Sequence, residues 1–325
     1  MITWIAADGD YGQPATPGWR GRDWSACEQD ALVARRRLHY LDAGTGERAF
    51  VFVHGMGGRW QHWLETIPAL AEHGRVLALD LPGFGQSERP AARVSLDGFA
   101  DGAAELIRDL SIERVVLVGH SMGGPIALRF ASRHPDLAEA IVPVGGAVFQ
   151  FSALLGLRGV LRFVAERPRE SAAIAAEIAT AGLPAPARVR QLIASSSLLR
   201  RAFLAPYAFD PAALASDSAA LIVDGAGAPG VLPTARAIGR SDPREGAKEV
   251  RCPILSIAAE HDRITPLPDT EAFEREVPRA RTVVLEGCGH MAMLERPQAF
   301  NTQLLAFAQA LPTPSPTPPR QEQAP

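Results

Sequence analysis

The sequence predicts an α/β protein, a mostly parallel, doubly wound sheet with a helical lid inserted in it. Three observations carry that prediction. Short apolar, β-branched runs alternate with helical patterns over residues 49–144, and strand-like runs return after residue 252. These runs are apolar throughout rather than at every second position, as strands covered on both faces require. Over residues 145–242 such runs vanish, and Ala, Leu and Arg dominate at helical spacing. A chain of 325 residues is long enough for one such core and its insertion.

Residues 1–33 mix aromatic and polar residues with Gly and Pro, and are expected to lie as an arm over the domain, anchored by burial of Trp4, Trp19 and Trp24. The regular core is expected to span 34–144 and 243–311. It opens with an edge strand at 35–41, a turn at 42–46 and a more apolar strand at Ala49–Val53. Trp60 and Trp63 open a helix to about His73, with Trp63 in the core and Trp60 at the rim of a pocket. A strand at Arg75–Leu79 runs into the compact turn of residues 80–87. Residues 95–110 carry a cap and apolar residues at helical spacing. A buried strand at 115–118, a helix at 125–133 and a short strand at 140–144 follow.

The lid, residues 145–242, is divided by Pro-rich breaks at 182–186 and 206–211. Its arginines read mostly as a solvated face. Its apolar side suits a greasy pocket and inter-helix core equally well. Strands at 252–258 and Arg281–Leu285 complete the sheet, and a helix over 297–311 closes the core. Residues 312–325, rich in Pro, Thr and Gln, cannot bury apolar surface and are expected to be disordered.

Composition narrows the function classes. A net charge of −3 offers no general attraction to nucleic acid or to an anionic membrane surface. Cys27, Cys252 and Cys288 are too few for a disulfide framework and lack metal-ligand spacing. No basic start with an apolar core is visible, and no run reaches the roughly 18 apolar residues of a membrane span. The expectation is a cytoplasmic protein acting on a small molecule, without metal, nucleic-acid partner or integral membrane segment; its oligomeric state is not legible.

The chemistry-bearing stretch is Val115-Val116-Leu117-Val118-Gly119-His120-Ser121-Met122-Gly123-Gly124. A strand running into Gly-x-Ser-x-Gly and then a helix presents the serine hydroxyl on a strained turn, with helix N–H groups aimed at developing negative charge. The pattern alone is weak; partners downstream in the right order strengthen it. Glycines around Cys288 let the loop after the last strand carry His290 over the sheet as a general base. Asp262, in the loop after the preceding strand, is the carboxylate expected to orient it, with Glu260 in reserve and His261 as exposed loop. The Gly-rich stretch His54-Gly55-Met56-Gly57-Gly58 brings backbone close to a ligand, so the N–H groups of Met56 and Met122 are the expected oxyanion donors. Gly55, Trp60 and His120 are the expected substrate contacts. His54 fits a loop-bracing role, Asp80 an acceptor for its own loop, and Cys288 a small buried filler.

Residues 54–58, 80–87 (Asp-Leu-Pro-Gly-Phe-Gly-Gln-Ser), 119–123, Asp262 and Gly289-His290 together resemble the α/β-hydrolase fold superfamily, in its serine-nucleophile members with a helical cap. The resemblance covers residues 35–311. It implies a Ser121–Asp262–His290 triad that needs no cofactor, and hydrolysis of a carboxylic ester with an apolar acyl or alcohol portion. Carbon–carbon bond hydrolysis, cofactor-free perhydrolysis and a hydrolase-like ligand sensor share these residues. Members that open epoxides or remove halogens carry an aspartate where Ser121 stands.

Overall fold

Nine strands pair into one sheet in the computed structural model, which describes residues 2–15, 19–89, 94–145, 156–242 and 244–312. They are β1 (Ile2–Ile5), β2 (Glu28–Val33), β3 (Arg36–Ala43), β4 (Ala49–Val53), β5 (Arg75–Leu79), β6 (Val115–His120), β7 (Ala138–Val144), β8 (Leu255–Ala259) and β9 (Arg281–Leu285). Their order across the sheet is β1-β9-β8-β7-β6-β4-β5-β3-β2, and β3 alone runs against the rest. Successive side chains point to opposite faces, so Phe50 and Phe52 of β4 join one apolar cluster while Val51 and Val53 join the other. Both faces are covered, and this is why the central strands are apolar at every position.

The core helices are α1 (Ile67–Ala71), α2 (Leu96–Asp109) and α3 (Gly123–Arg133). Between β7 and β8 the described chain forms α4 (Gly156–Glu166), α5 (Pro168–Gly182), α6 (Ala187–Ser195), α7 (Ser197–Phe203), α8 (Ser216–Val223) and α9 (Val231–Ile238). After β8 come α10 (Leu267–Glu276), α11 (Ala292–Glu295) and α12 (Pro297–Ala310). Ser95 caps α2, its hydroxyl accepting from the N–H of Gly98 at 2.9 Å. No helix among the described residues is long and apolar enough to cross a membrane.

Four expectations need correction. Residues 2–5 and 28–33 are the two edge strands rather than parts of an arm lying over the domain, and β2 displaces the segment at 36–43 from the edge. Trp19 and Trp24 are buried as expected, whereas Trp4, on β1, is 47% exposed because edge strand β1 leaves its outer face uncovered. The Trp60–Trp63 segment is a 3-10 turn, separated from α1 by residues 64–66. The expected disorder of the tail falls on residues 313–325, outside the described residues.

Arg296 ties the N-terminal segment to the core. Its guanidinium, 1% exposed, donates to Asp10 (2.7 Å), Asp8 (2.8 Å) and the carbonyls of Ala6 (3.0 Å) and Glu286 (3.0 Å). Arg296→Met strands a buried Asp10 carboxylate and several carbonyls, an expected loss of about 3 kcal/mol. Urea unfolding, with proteolysis mapping release of residues ahead of β2, checks this.

Candidate active site

At the end of β6 the chain must turn into α3 within three residues. A Cβ at Gly119 would overlap the carbonyl of Gly123, and one at Gly123 would overlap the carbonyl of Val53. Only glycine lets the backbones approach this closely. Ser121 between them holds a φ of 51°, the left-handed region that costs a non-glycine residue about 1–3 kcal/mol. Its N–H donates to the carbonyl of Val144 and its carbonyl accepts from Gly124, both at 2.8 Å, so the strained turn is locked from both sides.

Asp262 lies in the loop after β8 and is buried. It accepts hydrogen bonds from the N–H groups of Ile264 and Thr265 (2.8 Å each), from the Thr265 hydroxyl (2.6 Å) and from Nδ1 of His290 (2.7 Å). The acceptance from Nδ1 directs the other ring nitrogen, Nε2, away from the carboxylate. Nε2 is buried and makes no hydrogen bond among the described residues, including none to Ser121. Ser121 and His290 line the same cavity. Burial opposes a charge on His290, but the Asp262 carboxylate beside it, helped by Glu177 and Glu295, holds the imidazole above its ordinary value.

The neighbouring imidazoles are neutral. Burial takes His54 down to about 4 and His62 to about 3, and it holds His120 well below its ordinary value, with His290 adding to the drop. His54 donates from Nδ1 to the carbonyl of Gly55 (2.7 Å) and accepts at Nε2 from Leu81 (3.0 Å), which braces the glycine loop against the 80–87 turn. Asp80 accepts from the N–H groups of Trp60 and Gln86, both at 2.7 Å. Glu260 accepts from Gly287 and makes no bond to His290. His261 is exposed and stacks on Phe209. Cys288 is fully buried, and burial pushes its thiol well up, as an inert filler requires.

The cavity over Ser121 has a volume of about 250 Å³. Gly55, Met56 and His120 lie on its core wall. A Cβ on Gly55 would stand 3.0 Å from the Cβ of Ser121, so the loop backbone passes directly beside the hydroxyl. Neither the Met56 nor the Met122 N–H donates a hydrogen bond among the described residues. Nε2 of His120 donates to the carbonyl of His290 at 2.9 Å, joining elbow and histidine loop. Trp60 does not line the cavity. The bond from its N–H to Asp80 holds its turn against the core, and its ring packs on Trp24.

The opposite wall comes from α5, α6, α7 and α8, with Leu183, Ile193, Phe203, Leu204 and Val223 among its residues. The sequence reading missed Glu177, Thr180 and Tyr207 there. One signal was available: the buried positions of α5 are Ala173, Glu177 and Ala181, spaced by four, so the glutamate sits on the apolar stripe. Also missed was Glu295, whose carboxylate accepts from Gly289 and Met291 on either side of His290 (2.9 and 3.0 Å), from Phe209 (2.7 Å) and from the Tyr11 hydroxyl (3.0 Å). Among the described residues no group of three or more His, Cys, Asp or Glu side chains is placed to hold a metal ion.

Burial pushes the Glu177 carboxyl up to about 7, above the 4.5 of a free glutamate, with Asp262 adding to the rise and His290 opposing it. The native state therefore keeps the proton to higher pH than the unfolded chain, and stability is lost as pH rises from 4.5 through 7. Glu177→Gln cannot ionise. Urea unfolding at pH 5 and pH 8 is expected to show a shallower decline than for the parent protein, by about 3 kcal/mol at most.

Residues 48–297 match the alpha/beta hydrolase fold family. A dihydrolipoyllysine-residue acetyltransferase component of the acetoin cleaving system of Pseudomonas putida is 31% identical over 285 residues, covering 86% of this chain and 68% of that one. A 2-hydroxymuconate semialdehyde hydrolase of Pseudomonas sp. strain CF600 is 38% identical over 136 residues, 41% of this chain and 48% of its own length. Among solved structures, the epoxide hydrolase CorEH superposes with a TM-score of 0.65 at 26% identity, over 88% of this chain and 99% of that one. With the family match spanning most of the sheet and the whole stretch from Ser121 to His290, the chain belongs to the alpha/beta hydrolase fold family.

Proposed function

We propose that the protein is a serine hydrolase that cleaves a carboxylic ester with an apolar acyl or alcohol portion. The observation that carries this reading is the Asp262–His290 pair, whose free Nε2 is buried in the cavity that Ser121 also lines. A serine hydroxyl is a weak nucleophile near neutral pH and needs a base. His290 takes its proton as Oγ attacks the ester carbonyl, while Asp262 keeps the productive tautomer and stabilises the imidazolium. The N–H groups of Met56 and Met122 receive the oxyanion. His290 then protonates the leaving alcohol. Water, activated by the same imidazole, releases the acid from Ser121.

Support for the apolar substrate portion comes from the wall built by α5–α8. The inserted helices act as a cap over Ser121. The rival reading, cleavage of a carbon–carbon bond, is favoured by the likeness to the hydroxymuconate semialdehyde hydrolase, whose named substrate is a carboxylate. The carboxyl of Glu177 in the cavity opposes an anionic substrate.

With a neutral p-nitrophenyl butyrate, Ser121→Ala and His290→Ala are expected to lower kcat by about 10⁴-fold or more, and Asp262→Asn by about 10⁴-fold. Steady-state kinetics and fluorophosphonate labelling of Ser121 read this; unlabelled, folded protein would overturn the assignment. Catalysis needs neutral His290, whose affinity for a proton is raised. The acid limb of kcat/KM should therefore lie above pH 6.5 and move to lower pH in Asp262→Asn, where the neighbouring negative charge is gone.

A further inference from the structure

Glu177 has no part in the chemistry just described, yet it faces it. Its side chain projects from the buried stripe of α5 into the cavity shared by Ser121 and His290, and the residue is only 5% exposed. Among the described residues no hydrogen-bond donor and no Lys or Arg side chain meets its carboxyl, and His290 is the nearby ring whose protonation favours its charge. Arg190, on the same cavity, is occupied by Asp224 and by the carbonyl of Ala185. The Tyr207 hydroxyl lies against the Thr180 hydroxyl (2.6 Å) and donates to the main-chain carbonyl of Glu177 (3.3 Å), so it serves the backbone of α5 and not the acid.

The charge balance of the cavity is therefore simple. His62 and His120 are held neutral, and burial with the nearby Glu177 pushes the Tyr207 phenol upward. Asp262, behind His290, is hydrogen-bonded to that imidazole and adds to the negative field at Glu177. Glu177 is the one acid among the residues lining the cavity, on a mostly apolar wall, and its own burial makes ionisation costly unless a ligand brings compensating charge. An anionic ligand would meet like charge in a medium that screens poorly, and a cationic one would restore the missing partner.

We propose that Glu177 is a specificity-determining residue which selects esters whose apolar portion carries a cationic nitrogen and rejects those carrying a carboxylate. The inference names the substrate class of the ester hydrolase reading and rests on it for the word ester, though not for the choice of charge.

Two measurements test it. The first compares kcat/KM for three p-nitrophenyl esters of equal acyl length, ending in methyl, trimethylammonium or carboxylate, at pH 8. The parent protein is expected to favour the cationic over the anionic ester by about 100-fold, and Glu177→Gln to cut that ratio at least about tenfold. Equal rates for the two ions, or a ratio unchanged in Glu177→Gln, overturns the proposal. The second needs no turnover: calorimetric titration of the Ser121→Ala protein with hexyltrimethylammonium and with hexanoate. Preference for the ammonium, lost when Glu177→Gln or the similarly sized Glu177→Met is added, supports the proposal. Equal affinity, or no binding of the ammonium, overturns it. A protein that binds the ammonium selectively but hydrolyses none of the three esters would sink the ester assignment and leave the charge selection standing.

Discussion

The carboxylate of Glu295 is where three separate parts of the chain meet. It receives the two N–H groups that bracket His290, an N–H from the inserted helices at Phe209, and a hydroxyl from the N-terminal segment at Tyr11. Burial raises its carboxyl to about 7, against the pull of these donors. Hydrogen-bond donors aimed at one buried acceptor hold a loop more rigidly than apolar packing alone, because the cost of leaving any of them unpaired is high. Arg296, the next residue, gathers Asp8, Asp10 and three carbonyls on its other side. The histidine loop is thus pinned between the edge of the sheet and the insertion.

The same economy of polar groups explains the cavity. Two imidazoles on its core wall bond to the backbone, His62 to the carbonyl of Leu221 and His120 to that of His290, while Asp262, behind His290, accepts from the loop that carries it. Three buried imidazole nitrogens are left without a partner among the described residues, Nδ1 of His62, Nδ1 of His120 and Nε2 of His290; burial lowers the proton affinity of the first two rings, and only the third is raised, by Asp262. The same bonds leave Glu177 as the acid with no such commitment. The cavity and its surroundings concentrate strain and desolvation in two places, the left-handed Ser121 and the buried acids, while the sheet beneath is packed mostly by aliphatic and aromatic residues.

Much of this was legible before any coordinates. The strands at Ala49–Val53, Arg75–Leu79 and Arg281–Leu285 fall where the apolar runs place them, and the structural roles of His54 and Asp80 follow from their positions at strand ends. The edge strands escaped the sequence reading because β1 and β2 bury only part of their surface. A half-exposed strand such as Ile2–Ile5, with Trp4 facing solvent, carries no distinctive pattern until a neighbour supplies its hydrogen bonds. Trp60 was misplaced for a related reason. Which way a tryptophan faces at a loop depends on the acceptor its backbone finds, here Asp80, twenty residues away.

The sequence by itself determined the class of fold, the order of its inner strands along the chain and the strained serine turn, because each depends on local geometry: apolar runs, and glycines where no side chain fits. Only the tertiary structure decided which strands close the sheet, that Glu295 clamps the histidine loop, and that Glu177 looks into the cavity rather than into water. Those are matters of distance between residues remote in the chain, and burial and hydrogen-bond partners of that kind leave no trace in a periodicity.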